Sequence, residues 1–355
     1  MRIALLGDIA LFGCNRSSNP KYKEIFAPVK TVLDGCDYVI GNLETPLTNA
    51  EKTVGGKSAY IKGTPEDVEI LKYLNVSHVG LANNHAFDFK KQGLDETIRT
   101  LENAGIEWYG IDGKECTVRS GESTVELSGY CCYSTNAKGM GTVNILDPAV
   151  IEKELDESDK EECVPILSLH WGQEHVHFPN HDHVELARKL CKDRKVVIHG
   201  HHPHVIQGME YVGQSLVLYS LGNFCFDDIY TKKSADPSVK LSPDNREALI
   251  AVLEIRNNTI EDYKCHIFSF DGNSYSLSEN GNEKIREWTD LLSADKEHYN
   301  IIRSTALNEH LGSRKQMRDL KWYVKRLNIE SFRIIVASKK NQKCYKRLIK
   351  DYIGQ

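Results

Sequence analysis

The sequence predicts a layered α/β fold, and two observations carry that prediction. Over roughly the first two hundred residues, short apolar runs bounded by glycine or polar residues alternate with helix-like stretches. The middle of the chain then turns β-rich, with shorter strands set off by Gly, Asn and Asp. Short apolar runs of this kind read as strands covered on both faces, and strand alternating with helix argues helices layered on sheet. A length of 355 residues, with 40% hydrophobic and 27% charged content, fits one large domain, alone or with an appendage, and excludes disordered and fibrous classes.

In chain order, the core strands are expected at 2–7 (RIALLG), 37–42 (DYVIGN), 77–82 (SHVGLA), 163–170 (CVPILSLH) and 195–200 (KVVIHG). Helices are expected between them at about 21–34, 65–74, 91–104 and 181–193. Segments 115–119, 123–133, 209–219, 247–256 and 261–270 read as a second sheet that completes a sandwich with helices outside. From about Glu283 the chain becomes polar, basic and helix-favouring, and 313–327 is its clearest amphipathic stretch. The expected division is a body over 1–275 and a basic helical C-terminal appendage over 280–355.

Charge is unevenly spread. Between Arg314 and Asp351 the net charge is +10, which leaves −15 for the rest of a chain whose total is −5. The basic tail reads either as a surface for an anionic partner or membrane surface, or as a solvated helical face docked on its own acidic body. The acidic body argues against nucleic acid as a substrate. Ten scattered cysteines without a C-x-x-C pair fit reduced, mostly buried thiols better than disulfides or zinc thiolates. The opening Met1-Arg2 runs straight into a short strand rather than a signal h-region. No apolar run approaches the roughly 18 residues of a transmembrane helix, so the expected location is cytoplasmic.

The chemistry gathers at strand ends, where open α/β sheets bind ligands. The core runs terminate in Asp8, in Asn42-Leu43-Glu44, in Asn83-Asn84-His85, in His170-Trp171-Gly172 and in His199 to His204. One buried acid at a strand end can simply cap the next helix; five successive ends carrying acid, amide or imidazole point to a site. Nine of the fourteen histidines lie between His170 and His204. Imidazole combined with carboxylate and amide oxygen suits zinc, manganese or iron. His175, His177, His181 and His183 read either as surface residues or as substrate contacts.

The ordered set Gly7-Asp8, 41–48 (GNLETPLT), 82–88 (ANNHAFD), 170–174 (HWGQE), 200–208 (GHHPHVIQG) and 219–224 (YSLGNF) resembles the CapA, or poly-γ-glutamate capsule-biosynthesis, proteins. Each motif alone is weak, whereas six in order are specific, and they extend from residue 3 to about 227. That family is similar to the calcineurin-like metallophosphoesterases, which implies a four-layer α/β/β/α metallophosphoesterase-like sandwich around two divalent transition metals (Mn, Fe or Zn). By motif, the resemblance implies Asp8, Glu44, Asn84, His170, His202 and His204 as metal ligands, with Glu44 bridging, and His85 as the catalytic histidine. A typical phosphoesterase begins D-x-H, whereas here the run is Asp8-Ile9-Ala10, and the second motif ends in Glu44 rather than Asp.

Two metals about 3.5–4 Å apart would activate water and neutralise a transferring phosphoryl group. His85 would then protonate the leaving oxygen, with Asp88 read either as its orienter or as the start of a helix cap. Asn223 reads as a turn residue or as an amide turned to the site. Trp171, Glu174 and His201 are candidate substrate contacts, with core packing the alternative for Trp171. Lys57 follows a Gly-Gly pair that lacks the spacing of a phosphate-binding loop, and is a candidate for a substrate anion. The expected activity is a phosphatase or phosphodiesterase acting on an anionic small molecule or polymer. The alternatives are a non-hydrolytic metal-binding subunit of a polymer-synthesis system and a γ-glutamyl amide hydrolase.

Overall fold

A computed structural model of the chain describes residues 1–54, 60–132, 143–160, 162–230, 237, 239–316 and 329–354. Its first half runs β1 (Arg2–Ile9), α1 (Tyr22–Leu33), β2 (Tyr38–Leu43), α2 (Val68–Tyr73), β3 (His78–Gly80), α3 (Lys90–Asn103), β4 (Glu107–Tyr109), β5 (Cys116–Ser120) and β6 (Ser123–Cys131). Then follow α4 (Pro148–Lys160), β7 (Val164–His170), α5 (His181–Cys191), β8 (Val197–His201), β9 (Met209–Val212), β10 (Ser215–Leu218) and β11 (Asn223–Cys225). The chain continues through β12 (Glu247–Arg256), β13 (Thr259–Phe270), β14 (Tyr275–Leu277), α6 (Gly281–Leu291), α7 (Lys296–Gln316) and α8 (Ile329–Ile353).

The strands form two sheets. The first has the order β14-β13-β12-β1-β2-β3-β4, with β11 beside the end of β1, and the second β5-β6-β7-β8-β10-β9. Strands β1 to β4 are mutually parallel, as are β6, β7, β8 and β10. Alternation along β1 explains its unbroken apolar run: side chains of a strand point to opposite faces in turn, and here both faces are covered. Ile3 and Leu5 face the second sheet, packing in one cluster with Val125, Ile166 and Val197. Ala4 and Leu6 face the other way, in a cluster with Phe26 of α1, Leu71 of α2 and Leu94 of α3. On the far side, Leu167, Leu169 and Ile198 of the second sheet pack against Leu155 of α4 and Leu186 of α5. The layers are therefore α/β/β/α, as expected.

The assignment of strands to sheets is not as expected. Segments 247–256 and 261–270 extend the first sheet, because β12 pairs antiparallel with β1 (Ile3 opposite Leu253, Leu5 opposite Ala251). Strands β7 and β8 belong to the second sheet, joined to β6. The segment 209–219 is a hairpin, β9 and β10, turning at Gly213 in the left-handed region at φ 61°. Helix α4 and the short strands β4, β11 and β14 were not expected.

The C-terminal helices pack on this body. Tyr345 and Ile349 of α8 join the cluster beneath α4 and α5, and the Tyr352 hydroxyl donates to Glu152 Oε1 at 2.8 Å. One face of α8 therefore docks on the protein's own surface, as the second reading of the tail had it. Much of the 313–327 stretch lies outside the described residues. Among the described residues no helix is long and apolar enough to cross a membrane. All ten cysteines are free thiols.

His183 of α5 is buried, with its ring stacked on Trp171. Burial, reinforced by Arg303 and Lys346, pushes its pKa down to about 3. In the unfolded chain a histidine titrates near 6.5. Above that pH both states are neutral and the contribution of His183 is fully present. Between about 6.5 and 3 only the unfolded chain takes up the proton, so stability falls as pH falls, by about 1.4 kcal/mol per pH unit. His183→Phe, which keeps a stacked ring, should flatten the loss measured by urea unfolding between pH 7 and 5 by about 2 kcal/mol. Identical pH slopes in the two proteins would show that His183 is not held neutral.

Candidate metal centre

Parallel strands with the same polarity place their carboxyl ends together, and the two sheets bring two such rows face to face. Asp8 is the penultimate residue of β1, Asn42 and Glu44 lie at the end of β2, and Asn83 to His85 follow β3. Opposite them, His170 ends β7, and His201, His202 and His204 lie at and just beyond the end of β8. His199, inside β8, ties the sheets together below the site: its Nε2 bonds the Leu6 carbonyl of β1 at 2.8 Å. Gly7 admits a further close approach, since a Cβ there would sit 2.1 Å from the Gly222 carbonyl oxygen.

Two overlapping triads emerge. Glu44, His170 and His202 each present a ligating atom within 4.8 Å of the others, and so do Asp8, Glu44 and His204. Glu44 is common to both and fully buried. Nε2 of His170 lies 3.4 Å from Glu44 Oε1 and 3.0 Å from Asn84 Oδ1, so the Asn84 amide oxygen joins the first triad. In the second, Nδ1 of His204 lies 3.4 Å from Asp8 Oδ2. Oxygen and imidazole donors gathered without thiolate are a borderline set suited to manganese, iron or zinc.

Electrostatics match. Burial drives His170 well below the usual imidazole range, and the neighbouring His202, His201, His204 and His85 add to it. His202 is pushed down to about 3, chiefly by burial. Both rings are therefore neutral near pH 7, the form that ligates metal. Burial raises the Asp8 carboxyl, against the pull of His204, Asn42 and the His202 backbone N–H. Asn42 donates to Asp8 Oδ1 at 2.7 Å and the His202 N–H donates to Oδ2 at 3.1 Å, fixing the carboxylate from two sides. His202 and His204 have φ of 92° and 57°. Left-handed backbone costs a non-glycine residue about 1–3 kcal/mol, and here it accompanies two imidazoles of one tetrapeptide that both approach Glu44.

His85 stands apart from both triads. Its Nδ1 lies 2.7 Å from Oδ2 of the fully buried Asp88, which holds the ring as the Nδ1–H tautomer and leaves Nε2 as its second proton site. Of the two readings of Asp88, the geometry gives the ring partner. Asn83 accepts from the His85 backbone N–H at 3.0 Å and donates to the Leu43 carbonyl at 2.8 Å, tying the β3 loop to β2.

A family model described as bacterial capsule synthesis protein PGA_cap matches residues 2–228. The chain belongs to this family. It is similar to the PGA biosynthesis protein CapA of Bacillus subtilis, with 30% identity over 220 residues covering 59% of this chain and 58% of that protein. It is also similar to the capsule biosynthesis protein CapA of Bacillus anthracis, with 25% identity over 258 residues covering 65% and 61%. The chain thus spans about three fifths of the length of these PGA_cap relatives. Among solved structures, one described as a novel phosphatase from Mycoplasma pneumoniae aligns with 13% identity and a TM-score of 0.49, covering 76% of this chain and 93% of that one. So remote a likeness carries no argument.

Both triads lie within the PGA_cap match, and three of the expected substrate contacts are buried side chains with partners in the protein. Trp171 is 1% exposed, stacked against His183 and Tyr219, with its indole N–H donated to the Tyr219 carbonyl at 3.0 Å. A side chain so enclosed belongs to the core. His201 is equally buried; its Nε2 pairs with Ser168 Oγ at 3.0 Å and its Nδ1 lies 3.6 Å from Asp8, so it supports the carboxylate from beneath. Asn223 turns its amide to His204, with Oδ1 2.9 Å from Nδ1, and donates to the Asn245 carbonyl at 2.9 Å. Of the two readings of Asn223, the geometry gives the amide turned to the site, where it orients a triad histidine. Glu174 is half-buried and close enough to His202 to act on its charge. Lys57 lies outside the described residues. Asn42, Asn83 and Asn245 were missed as site residues. The first two stand beside chosen residues in the strand-end motifs; Asn245 follows Ser-Pro-Asp, which signals only a turn.

Proposed function

We propose that this PGA_cap member is a metal-dependent hydrolase of phosphate esters, built around two divalent transition metals (Mn, Fe or Zn). The observation that carries the reading is Glu44, one buried carboxylate shared by two triads, which is what a bridging ligand requires. Asn84, His170 and His202 would hold one ion, and Asp8 and His204 the other. When bound, the pair supplies charge neutralisation at the reacting group and a nucleophilic water at neutral pH.

The chain's own residues do the rest. Asp8 and Glu44 are the only carboxylates of the triads, so four positive charges from two divalent ions exceed two negative ones and the centre attracts an anion. His85, with Nδ1 held by Asp88, is placed to give its Nε2 proton to the departing oxygen, and Asp88 then stabilises the charge change on the ring. Residues 1–275 contain all of these groups, and 280–355 form the appendage to that catalytic body.

The printed names of the Bacillus relatives support a second reading, in which the same centre handles a poly-γ-glutamate chain, by amide cleavage or by binding alone. Full-length protein loaded with manganese or zinc should hydrolyse one or more members of a phosphomonoester and phosphodiester panel. Chelation, or His202→Ala, should lower that rate at least about 100-fold, the upper range for losing even an outer-shell partner of a metal. Cleavage of γ-glutamyl peptides with inertness to every phosphate ester would move the reaction to the amide. Inertness to both would leave the polymer-binding subunit.

A further inference from the structure

The two triads are unequal in donors. The first gains the Asn84 amide oxygen beside Glu44, His170 and His202, whereas the second counts only Asp8, Glu44 and His204. Where a D-x-H run would supply a further imidazole, this chain has Ala10. A second amide stands beside the shorter set. Asn223 Oδ1 lies 2.9 Å from His204 Nδ1, and Asp8 Oδ2 lies 3.4 Å from the same nitrogen. The first triad has the same pattern, with Asn84 Oδ1 3.0 Å and Glu44 Oε1 3.4 Å from His170 Nε2. Bonds of about 2.0–2.2 Å meeting at tetrahedral or octahedral angles hold the ligand atoms of one ion about 2.8–3.6 Å apart. Both pairs of separations fall in that range.

The fold holds Asn223 in this place. Strand β11 runs parallel to β1 with Asn223 opposite Asp8 in register. It can approach because Gly7 has no side chain to meet Gly222, whose carbonyl accepts from the Asp8 N–H at 2.9 Å. The orientation of the amide is fixed as well. Asn223 Nδ2 donates to the Asn245 carbonyl at 2.9 Å, and a carbonyl only accepts, so the oxygen is the amide atom turned to His204. Asn245 Nδ2 in turn donates to the His204 carbonyl at 2.8 Å, which locks Asn223 and His204 into one frame. Asn223 is 3% exposed and Asp8 is fully buried. One ring nitrogen carries at most one proton, whereas two oxygens converge on Nδ1; a cation uses the lone pairs of all three.

We propose that Asn223 is a ligand of the second ion through Oδ1, replacing the imidazole that Ala10 does not supply, and that His204 binds the same ion through Nδ1 with its proton on Nε2. Each ion then has one amide oxygen, a share of Glu44 and at least one imidazole. A neutral amide in place of a neutral imidazole leaves the charge of the centre unchanged. This rests on the reading of the triads as a two-ion centre.

Calorimetric titration of the full chain with manganese tests it without turnover. The wild type should bind two ions. Asn223→Ala should keep one of them at unchanged affinity and bind the other at least about 100-fold more weakly, the upper range for losing even an outer-shell partner. Asn223→Asp, which keeps the oxygen, should bind both. Nitrogen-15 NMR of the zinc-loaded wild type, labelled at histidine, separates a ligand from an orienting partner. His204 should carry the metal on Nδ1 and the proton on Nε2. Metal on Nε2 with the proton on Nδ1 would make Asn223 an outer partner and overturn the proposal, as would two ions bound unchanged by Asn223→Ala. Melting temperatures are measured alongside, and if the alanine variant does not fold the wild-type NMR result decides alone. Either contrary result in a wild type that binds two ions removes Asn223 and leaves the two-ion centre standing. A wild type that binds fewer than two ions removes both.

Discussion

Glu44→Gln is expected to empty the centre of metal and to abolish activity together. Two divalent ions about 3.5–4 Å apart repel one another strongly in a buried site, where the effective dielectric is far below that of water. Among the described residues Glu44 is the carboxylate that the two triads share. Glutamine keeps the shape but halves the negative charge of the triads and offers one acceptor oxygen in place of two. Loss of an outer-shell partner alone costs a metal site about 10–100-fold, so loss of the shared ligand should exceed that, on the order of 10³-fold in kcat/KM. Metal content should drop from about two to below one per chain. Retention of wild-type metal content by Glu44→Gln would sink the bridging role, whatever the activity.

His85→Ala is expected to separate the chemistry from the metals. His85 belongs to neither triad, and its Nδ1 is engaged by Asp88 at 2.7 Å. The replacement should therefore leave metal content intact while lowering kcat by about 10²–10⁴-fold, the usual worth of a positioned proton donor. The loss should depend on the leaving group. An alkyl phosphate, whose departing alkoxide needs the proton, should show the full effect, and a nitrophenyl phosphate much less. Asp88→Asn should show the same dependence at smaller size, since it leaves the imidazole but perturbs its tautomer. Equal losses with both esters would assign His85 to binding rather than to proton transfer.

The site was legible because its donors sit at the ends of buried strands. Each such strand announces itself as an apolar run, and the first polar residues after it mark the end of the sheet. The strand ends mark the region, the resemblance to the CapA family picks out Asp8, Glu44, Asn84, His170, His202 and His204 within it, and the structure brings all six together. Pairing between distant strands was not legible. Nothing in 247–256 reveals that β12 lies antiparallel to β1, because periodicity reports which faces are buried and not which strand lies alongside. The same limit explains Trp171 and His201. Trp171 follows His170 directly, and alternation sends neighbouring side chains to opposite faces, so its ring points into the core; His201 shares a face with His170, and only its contacts with Asp8 and Ser168 show that it lies beneath the carboxylate. Asn245 and His310 come from a loop and from a helix far along the chain, and only the folded structure shows them beside His175.

The most direct test of the central claim is a metal count by mass spectrometry on full-length protein purified without chelator or histidine tag. Two overlapping triads around Glu44 predict close to two manganese, iron or zinc ions per chain. A chain that binds none, even after reloading with manganese or zinc, would contradict the account at its root.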